Sequence, residues 1–171
     1  MNLPNKLTIL RACMIPVFVV LALQTPFWAQ LTAAIVFALA SFTDYLDGHI
    51  ARKHNLVTNF GKFMDPLADK VLVLAAMCFF VENGQMPGWA VVIVLFREFA
   101  VSGLRLIAVE QQRVIAAGWS GKIKTASTMV CFILLMLPVP EWTVTACWIV
   151  VLATTVYSGI EYFVKNASVF K

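Results

Sequence analysis

Charged residues are scarce in this chain: they make up 13% of its 171 residues, whereas hydrophobic residues make up 61%. Soluble globular domains carry about 25% charged residues, so the composition excludes an ordinary soluble domain. Cysteine and histidine are also rare. The four cysteines stand singly in separate apolar runs, without the paired spacing of a disulfide framework or a zinc site. The composition therefore predicts an integral membrane protein whose cysteines are small apolar core residues.

The apolar residues form six runs, each close to the roughly 20 residues that a membrane-spanning helix needs. The runs lie at about 7–24, 29–50, 63–82, 88–109, 123–138 and 142–164. Their connections are too short to hold a second globular domain. The sequence thus predicts an all-α integral membrane protein, with six transmembrane helices in one bundle and a single domain over residues 1–171.

Lysine and arginine are distributed unevenly, although the net charge is only +4. They concentrate before the first run, between the second and third, between the fourth and fifth, and at the end of the chain, whereas the other three connections contain none. Because cytoplasmic loops are rich in lysine and arginine, both termini are predicted to be cytoplasmic. Orientation, anionic lipid and phosphate ligands explain these charges better than nucleic acid does.

All four aspartates fall within 26 residues, at Asp44, Asp47, Asp65 and Asp69. Spacings of three and four place each pair on one face of a helix. Carboxylates at membrane depth are expensive and usually functional, so two facing helices would bring four oxygen ligands together. Oxygen ligands alone favour magnesium, manganese or calcium over zinc. In the alternative interpretation, the acids only pair with neighbouring lysines and arginines in a solvated connection.

Small residues at fixed spacings complete a longer pattern around the aspartates. It reads Asp-x2-Asp-Gly-x2-Ala-Arg-x8-Gly-x3-Asp-x3-Asp, from Asp44 to Asp69, with eight fixed residues. This pattern resembles the signature of the CDP-alcohol phosphotransferases. The resemblance implies an enzyme with six transmembrane helices that forms a homodimer and uses Mg²⁺ or Mn²⁺. It also implies a bacterial cell (inner) membrane location with the active site facing the cytoplasm.

Carried over by position, the resemblance assigns roles to individual residues. Metal would be held by Asp44, Asp47, Asp65 and Asp69, of which Asp69 would also be the catalytic base. CDP-lipid would be bound by Gly48, Arg52, the weaker candidate Thr58, and the polar face of the first helix, Asn5, Thr8 and Arg11. In the reaction implied, the phosphatidyl group moves from CDP-diacylglycerol to an alcohol, and CMP leaves.

Arg97 interrupts the fourth apolar run, where an arginine needs a partner, a water-filled cavity or a ligand. Together with Arg105, Lys122 and Lys124, it predicts a second phosphate pocket. The acceptor would then be phosphorylated, such as glycerol 3-phosphate or an inositol phosphate. In the alternative interpretation, Glu98 and anionic lipid headgroups satisfy these charges.

Short segments outside the signature bear on the choice of acceptor. They resemble bacterial members of the family that use glycerol 3-phosphate, and they lie at 2–11, 97–105, 121–125 and 158–163.

Two other classes of protein share some of these features. A cation-coupled transporter would bind its ion nearer the bilayer midplane, usually within an inverted repeat. A structural subunit would use the basic rim for anionic lipid, and Asp69→Asn would leave its function intact.

Overall fold

The structure is a computed structural model that describes residues 2–53, 58–113, 115 and 118–170, without the side chains of residues 45–49, 51–53, 59, 62 and 170. The described chain contains six α-helices and one short 3-10 helix, and no strand. They are α1 (Leu3–Ala22), α2 (Phe27–Lys53), α3 (Asn59–Glu82), α4 (Gly88–Glu110), α5 (Trp119–Leu135), α6 (Glu141–Lys165) and the 3-10 helix Ala167–Phe170. The prediction of six helices in an all-α chain is confirmed.

Three segments in the described part of the chain are long and apolar enough to cross a membrane: Leu3–Ala22, Phe27–Asp44 and Glu141–Lys165. The other helices are shorter or more polar. α5 has 17 residues, whereas α3 and α4 each carry several charged side chains within their length. The helices are therefore those of a membrane protein, and the passage of all six through the bilayer stays a prediction.

The start of α1 differs from the sequence prediction, which placed it near residue 7. The helix begins at Leu3 because the Asn2 side chain caps it, accepting a hydrogen bond from the backbone N–H of Asn5 at 3.2 Å. Pro4 fits in the first turn, where its missing N–H costs no helical hydrogen bond. The early start brings Asn5 into the helix.

α3 and α5 also begin earlier than predicted. Thr58 caps α3, so the helix begins at Asn59 rather than near residue 63, and it continues through Pro66. α5 begins at Trp119, which places Lys122 and Lys124 within its first two turns rather than before the helix. Both differences move predicted site residues from connections to helix ends, where the backbone fixes their direction.

The chain divides into two compact units. Unit 1 comprises residues 1–83 and 136–138 and contains α1 to α3; its helix α1 packs against both α2 and α3. The rings of Phe18 and Phe37, both fully buried, lie 5.7 Å apart between α1 and α2. Buried alanines on α2, including Ala33 and Ala40, allow this close approach.

Unit 2 comprises residues 84–135 and 139–171 and contains α4 to α6 with the 3-10 helix. Its helix α6 packs against both α4 and α5. The Trp148 indole N–H donates to the Gln85 carbonyl at 2.6 Å, and its ring packs on Phe132 at 5.8 Å. The prediction of a single domain over residues 1–171 stays a prediction.

Candidate functional site

The polar face predicted for α1 points into unit 1. Asn5, Thr8 and Arg11 are all buried, with exposed fractions of 9%, 1% and 0%. A buried polar side chain is costly unless another group satisfies it. Each of these three residues therefore needs a partner on α2 or α3, and each has one.

Arg11 pairs with the first aspartate of the signature. Its Nη1 lies 2.6 Å from Oδ1 of Asp44, which joins α1 to α2. The arginine side chain is fully buried, whereas the Asp44 side chain keeps 40% of its surface exposed. The buried cation therefore fixes one side of the carboxylate and leaves another side accessible.

Thr8 contacts the third aspartate. Its hydroxyl donates to Oδ1 of Asp65 at 2.6 Å and lies 3.1 Å from the carbonyl of Pro4 on its own helix. This short hydrogen bond to a carboxylate joins α1 to α3 and is stronger than one between neutral groups. α1 thus holds one carboxylate on each of its two neighbouring helices.

Asn5 reaches the start of α3. Thr58 Oγ1 donates to Oδ1 of Asn5 at 2.8 Å and accepts the backbone N–H of Gly61 at 3.0 Å, which is the helix cap. A Cβ on Gly61 would lie 3.4 Å from Thr58 Oγ1, 3.5 Å from Asn5 Oδ1 and 3.5 Å from Asp65 Oδ2. The glycine of the signature therefore leaves the space beside three oxygens open.

The structure describes the remaining signature residues only in part. The side chains of Asp47, Gly48 and Arg52 lie outside the described residues, although α2 continues through their backbone to Lys53. Asp69 is half-buried one turn beyond Asp65 on α3. Among the residues whose side chains are described, no three candidate ligands form a metal-binding group. The four-carboxylate metal site stays a prediction.

The chemistry of the described donors nevertheless fits a hard divalent cation. Asp44 and Asp65 supply carboxylate oxygens, which pair with Arg11 and Thr8. Oxygen donors of this kind suit Mg²⁺ or Mn²⁺. Gly61 adds room beside Asp65 Oδ2 for a bound group.

Unit 2 contains the predicted basic residues, and Glu98 joins two of them. Glu98 Oε1 accepts from Arg97 Nη1 at 3.0 Å and from Lys124 Nζ at 2.5 Å, which links α4 to α5. Lys124 is buried, with 5% of its surface exposed. Glu98 therefore does satisfy part of this charge, as the alternative interpretation expected, but its partners are Arg97 and Lys124 rather than Arg105.

The other two basic residues have aromatic neighbours. Arg105 Nε donates to the Tyr162 hydroxyl at 2.8 Å, and its guanidinium lies 5.4 Å from the centre of that ring. Lys122 Nζ lies 4.9 Å from the centre of the Trp119 ring. Cation–π contacts of this kind hold a cation in place and leave it charged.

The sequence did not point to Tyr162, Trp119 or Gly159 as neighbours of the basic residues. Tyr162 is 57 residues from Arg105, so helical spacing cannot connect them. Trp119 lies three residues before Lys122 on the same helix, and this spacing was a signal that the sequence offered. Gly159 neighbours Arg97, since a Cβ on it would lie 3.2 Å from the Arg97 Cγ. Gly159 and Tyr162 both fall in the segment 158–163, and its resemblance to family members that use glycerol 3-phosphate was the signal that the sequence offered for them.

These observations define a class of protein: an all-helical membrane protein in which α1 contacts two signature carboxylates in one unit and Glu98 pairs with two basic residues in the other. A sequence model of the CDP-alcohol phosphatidyltransferase family matches residues 1–157, which span helices of both units. The chain belongs to this family, as its signature predicted. Members of the family generally depend on a divalent metal.

Several relatives of the chain are named for a specific reaction. The chain is 44% identical to CDP-diacylglycerol–glycerol-3-phosphate 3-phosphatidyltransferase of Bacillus subtilis (strain 168), over 99% of this chain and 97% of the relative. It is 40% identical to a probable phosphatidylglycerophosphate synthase of Mycobacterium tuberculosis, over 96% and 81%. It is 35% identical to the transferase of Salmonella typhimurium that carries the same name as the Bacillus protein, over 94% and 92%.

Proposed function

We propose that this chain transfers the phosphatidyl group from CDP-diacylglycerol to glycerol 3-phosphate, which gives phosphatidylglycerol phosphate and CMP. The observation that carries the proposal is the intact signature, from Asp44 to Asp69, in a chain 44% identical to the Bacillus subtilis transferase over 99% of its length. The contacts of α1 with Asp44 and Asp65 support it, because they assemble signature residues from two helices.

In this proposal, unit 1 binds the CDP-lipid. Asn5, Thr8 and Arg11 line the buried face of α1, and Thr58 caps α3 beside them. Gly48 and Arg52 follow Asp47 in the signature, and the family resemblance assigns Arg52 to the phosphate and Gly48 to the nucleotide. The diacylglycerol tails stay in the bilayer, since α1 and the apolar part of α2 are long enough to cross it.

Asp69 is the proposed general base. It takes the proton from a hydroxyl of glycerol 3-phosphate, whose oxygen then attacks the phosphorus attached to the lipid. The bond from that phosphorus to the CMP oxygen breaks, and CMP leaves with the electron pair. Asp69 lies one turn beyond Asp65 on α3, so both carboxylates project from the same side of the helix.

Asp44, Asp47, Asp65 and Asp69 would hold the Mg²⁺ or Mn²⁺ on which the family generally depends. A divalent cation would neutralise the diphosphate and stabilise the negative charge that develops on the leaving CMP. Thr8 and Arg11 orient two of these carboxylates by hydrogen bond and ion pair. Their role is to keep the ligands in place before the substrate binds.

Unit 2 would bind the phosphate of the acceptor. Arg97, Arg105, Lys122 and Lys124 are the proposed contacts. Arginine and lysine are suited to a phosphate dianion because they donate several charge-assisted hydrogen bonds to it. A free alcohol such as serine or glycerol would not need four cations, which favours glycerol 3-phosphate among the acceptors.

The enzyme would lie in the bacterial inner membrane as a homodimer, with both termini and the site at the cytoplasmic face. The uneven distribution of lysine and arginine supports this orientation. It also places the site where water-soluble glycerol 3-phosphate has access. The signature aspartates Asp44 and Asp47 lie in the carboxyl-terminal part of α2 (Phe27–Lys53), which leads into the connection rich in lysine and arginine.

The test is CMP release by the purified protein in detergent with CDP-diacylglycerol and Mg²⁺ or Mn²⁺. Glycerol 3-phosphate, an inositol phosphate, glycerol and serine are compared as acceptors. We expect release with glycerol 3-phosphate alone. Release with an inositol phosphate instead would retain the mechanism and reject the acceptor, and no release with any acceptor would reject the proposed function.

A further inference from the structure

The side chain of Arg97 follows a narrow path within unit 2. It leaves α4 and passes so close to α6 that a Cβ on Gly159 would lie 3.2 Å from its Cγ. Its Nη2 then lies 3.8 Å from the position of a Cβ on Gly121, at the start of α5. Carbon atoms in good van der Waals contact are about 3.5–4.0 Å apart, so Gly159 provides space that alanine would remove.

Glu98 fixes the far end of the same side chain. Its Oε1 accepts from Arg97 Nη1 and from Lys124 Nζ, so one carboxylate oxygen holds a cation from α4 beside a cation from α5. Only 13% of the Arg97 side chain and 6% of the Lys124 side chain are exposed. In such surroundings the two cations repel each other strongly when no anion lies between them.

Part of the Arg97 guanidinium still lacks a partner. Its Nε is buried and makes no hydrogen bond within the described part of the chain. Buried donors without partners are rare and costly in folded proteins. An oxyanion bound beside Arg97 would satisfy this donor.

The geometry points to Glu98 and Gly159 as positioning residues for the acceptor phosphate: together they set where Arg97 and Lys124 present their charge. Glu98 holds the two cations side by side, and Gly159 lets Arg97 reach that place. This inference rests on the proposed function, because it assigns the cations to glycerol 3-phosphate. Glu98 and Gly159 contact the cations themselves, so both act on acceptor binding rather than on bond making.

The direction in which phosphate affinity changes in Glu98→Gln distinguishes a positioning role of Glu98 from a purely electrostatic one. If Glu98 only weakened the positive field, replacing it by glutamine would tighten phosphate binding. If it positions the cations, Glu98→Gln loosens both of them and weakens binding. The deep burial of Lys124 favours the second outcome, since a buried lysine that loses its carboxylate must move.

The first experiment measures kcat and both KM values for Gly159→Ala in the full-length protein. We expect the KM for glycerol 3-phosphate to rise about tenfold, because small displacements of binding groups cost up to about 10²-fold. The KM for CDP-diacylglycerol and the kcat should stay the same. The matched control is Gly103→Ala on α4, where a Cβ meets nothing within 4 Å.

Glu98→Gln provides a second, independent variant, with Glu110→Gln on an exposed site of the same helix as its control. The expected result is again a higher KM for glycerol 3-phosphate alone, partly restored in Glu98→Asp. The inference is overturned if the parent enzyme is active but Gly159→Ala and Glu98→Gln leave that KM unchanged or lower it. An inactive parent would instead reject the proposed function, so the two failures are distinguishable.

Discussion

Unit 1 and unit 2 contain candidate binding residues of opposite charge, and in the described part of each unit such residues pair with a residue of the other sign. In unit 1 the cation is Arg11, which is fully buried against Asp44. In unit 2 the anion is Glu98, which lies between Arg97 and Lys124. Like charges in a poorly solvated site repel; Glu98 offsets this repulsion between Arg97 and Lys124, whereas Arg11 offsets the charge of Asp44. The charge that remains on these candidate residues is negative in unit 1, where a divalent cation is proposed to bind, and positive in unit 2, where the acceptor phosphate is proposed to bind.

The exposed fraction of the side chain of opposite charge, Arg11 in unit 1 and Glu98 in unit 2, also differs. The Arg11 side chain is entirely buried, whereas its partner Asp44 keeps 40% of its side chain exposed. Glu98 keeps 20% of its side chain exposed, and its partners Arg97 and Lys124 keep 13% and 6%. Unit 1 therefore presents its carboxylates outward from a fixed arginine. In unit 2, Arg97 and Lys124 stay close to the Glu98 carboxylate, which lies between them. We expect substitutions in the two units to affect different substrates.

Removal of divalent metal should have the largest effect on activity and should act through unit 1. With excess EDTA we expect CMP release to fall to background, because the unit 1 carboxylates would repel the diphosphate without a cation between them. Added Mg²⁺ or Mn²⁺ should restore turnover. The assay is CMP release as a function of free metal, and turnover that persists in EDTA would contradict the proposed role of the carboxylates.

Asp69→Asn should have the largest effect among single substitutions. It removes the proposed base but preserves size, so kcat should fall about 10²–10⁴-fold while the melting temperature stays near that of the parent. Glu82→Gln, at the other end of α3, is the control because its side chain is exposed. Full activity in Asp69→Asn would assign the base elsewhere and would agree with a structural role for the cluster.

Arg11→Met should destabilise unit 1. The substitution keeps most of the buried volume but removes the ion pair with Asp44, at a cost of about 1.5–3 kcal/mol in the free energy of unfolding. Thermal unfolding in detergent gives the change, with the exposed Lys6→Met on the same helix as control. An unchanged melting temperature would show that the pair does not hold the helices together.

Tyr162→Phe should have the smallest effect and should act on unit 2 alone. It removes the hydroxyl that Arg105 Nε contacts at 2.8 Å but keeps the ring under the guanidinium. The loss of one hydrogen bond of about 1 kcal/mol corresponds to a rise of roughly fivefold in the KM for glycerol 3-phosphate. Tyr157→Phe, exposed on the same helix, is the control. A rise in the KM for CDP-diacylglycerol would disagree with the division of roles.

The sequence predicted the helices well because each is a local pattern of apolar residues. Its errors lie at helix starts, where single side chains decide. Asn2 moves the start of α1 to Leu3, and Thr58 moves the start of α3 to Asn59. Apolarity marks the part of a helix that faces lipid or core, and it cannot detect a polar first turn.

The candidate site was predictable where helical spacing connects its residues. Asn5, Thr8 and Arg11 share a face of α1, and the structure places all three inside unit 1. The tertiary partners were not predictable from spacing, since Arg11 contacts α2 and Thr8 contacts α3. Glu98 and Lys124 lie 26 residues apart on separate helices, and only packing brings them together.

The central claim is that unit 1 serves the CDP-lipid and unit 2 serves the acceptor. The most direct test is to measure both KM values for Arg105→Gln and Thr58→Val beside the parent enzyme. We expect Arg105→Gln to raise only the KM for glycerol 3-phosphate and Thr58→Val to raise only the KM for CDP-diacylglycerol. The reverse pattern, or equal changes in both KM values for either variant, would contradict it.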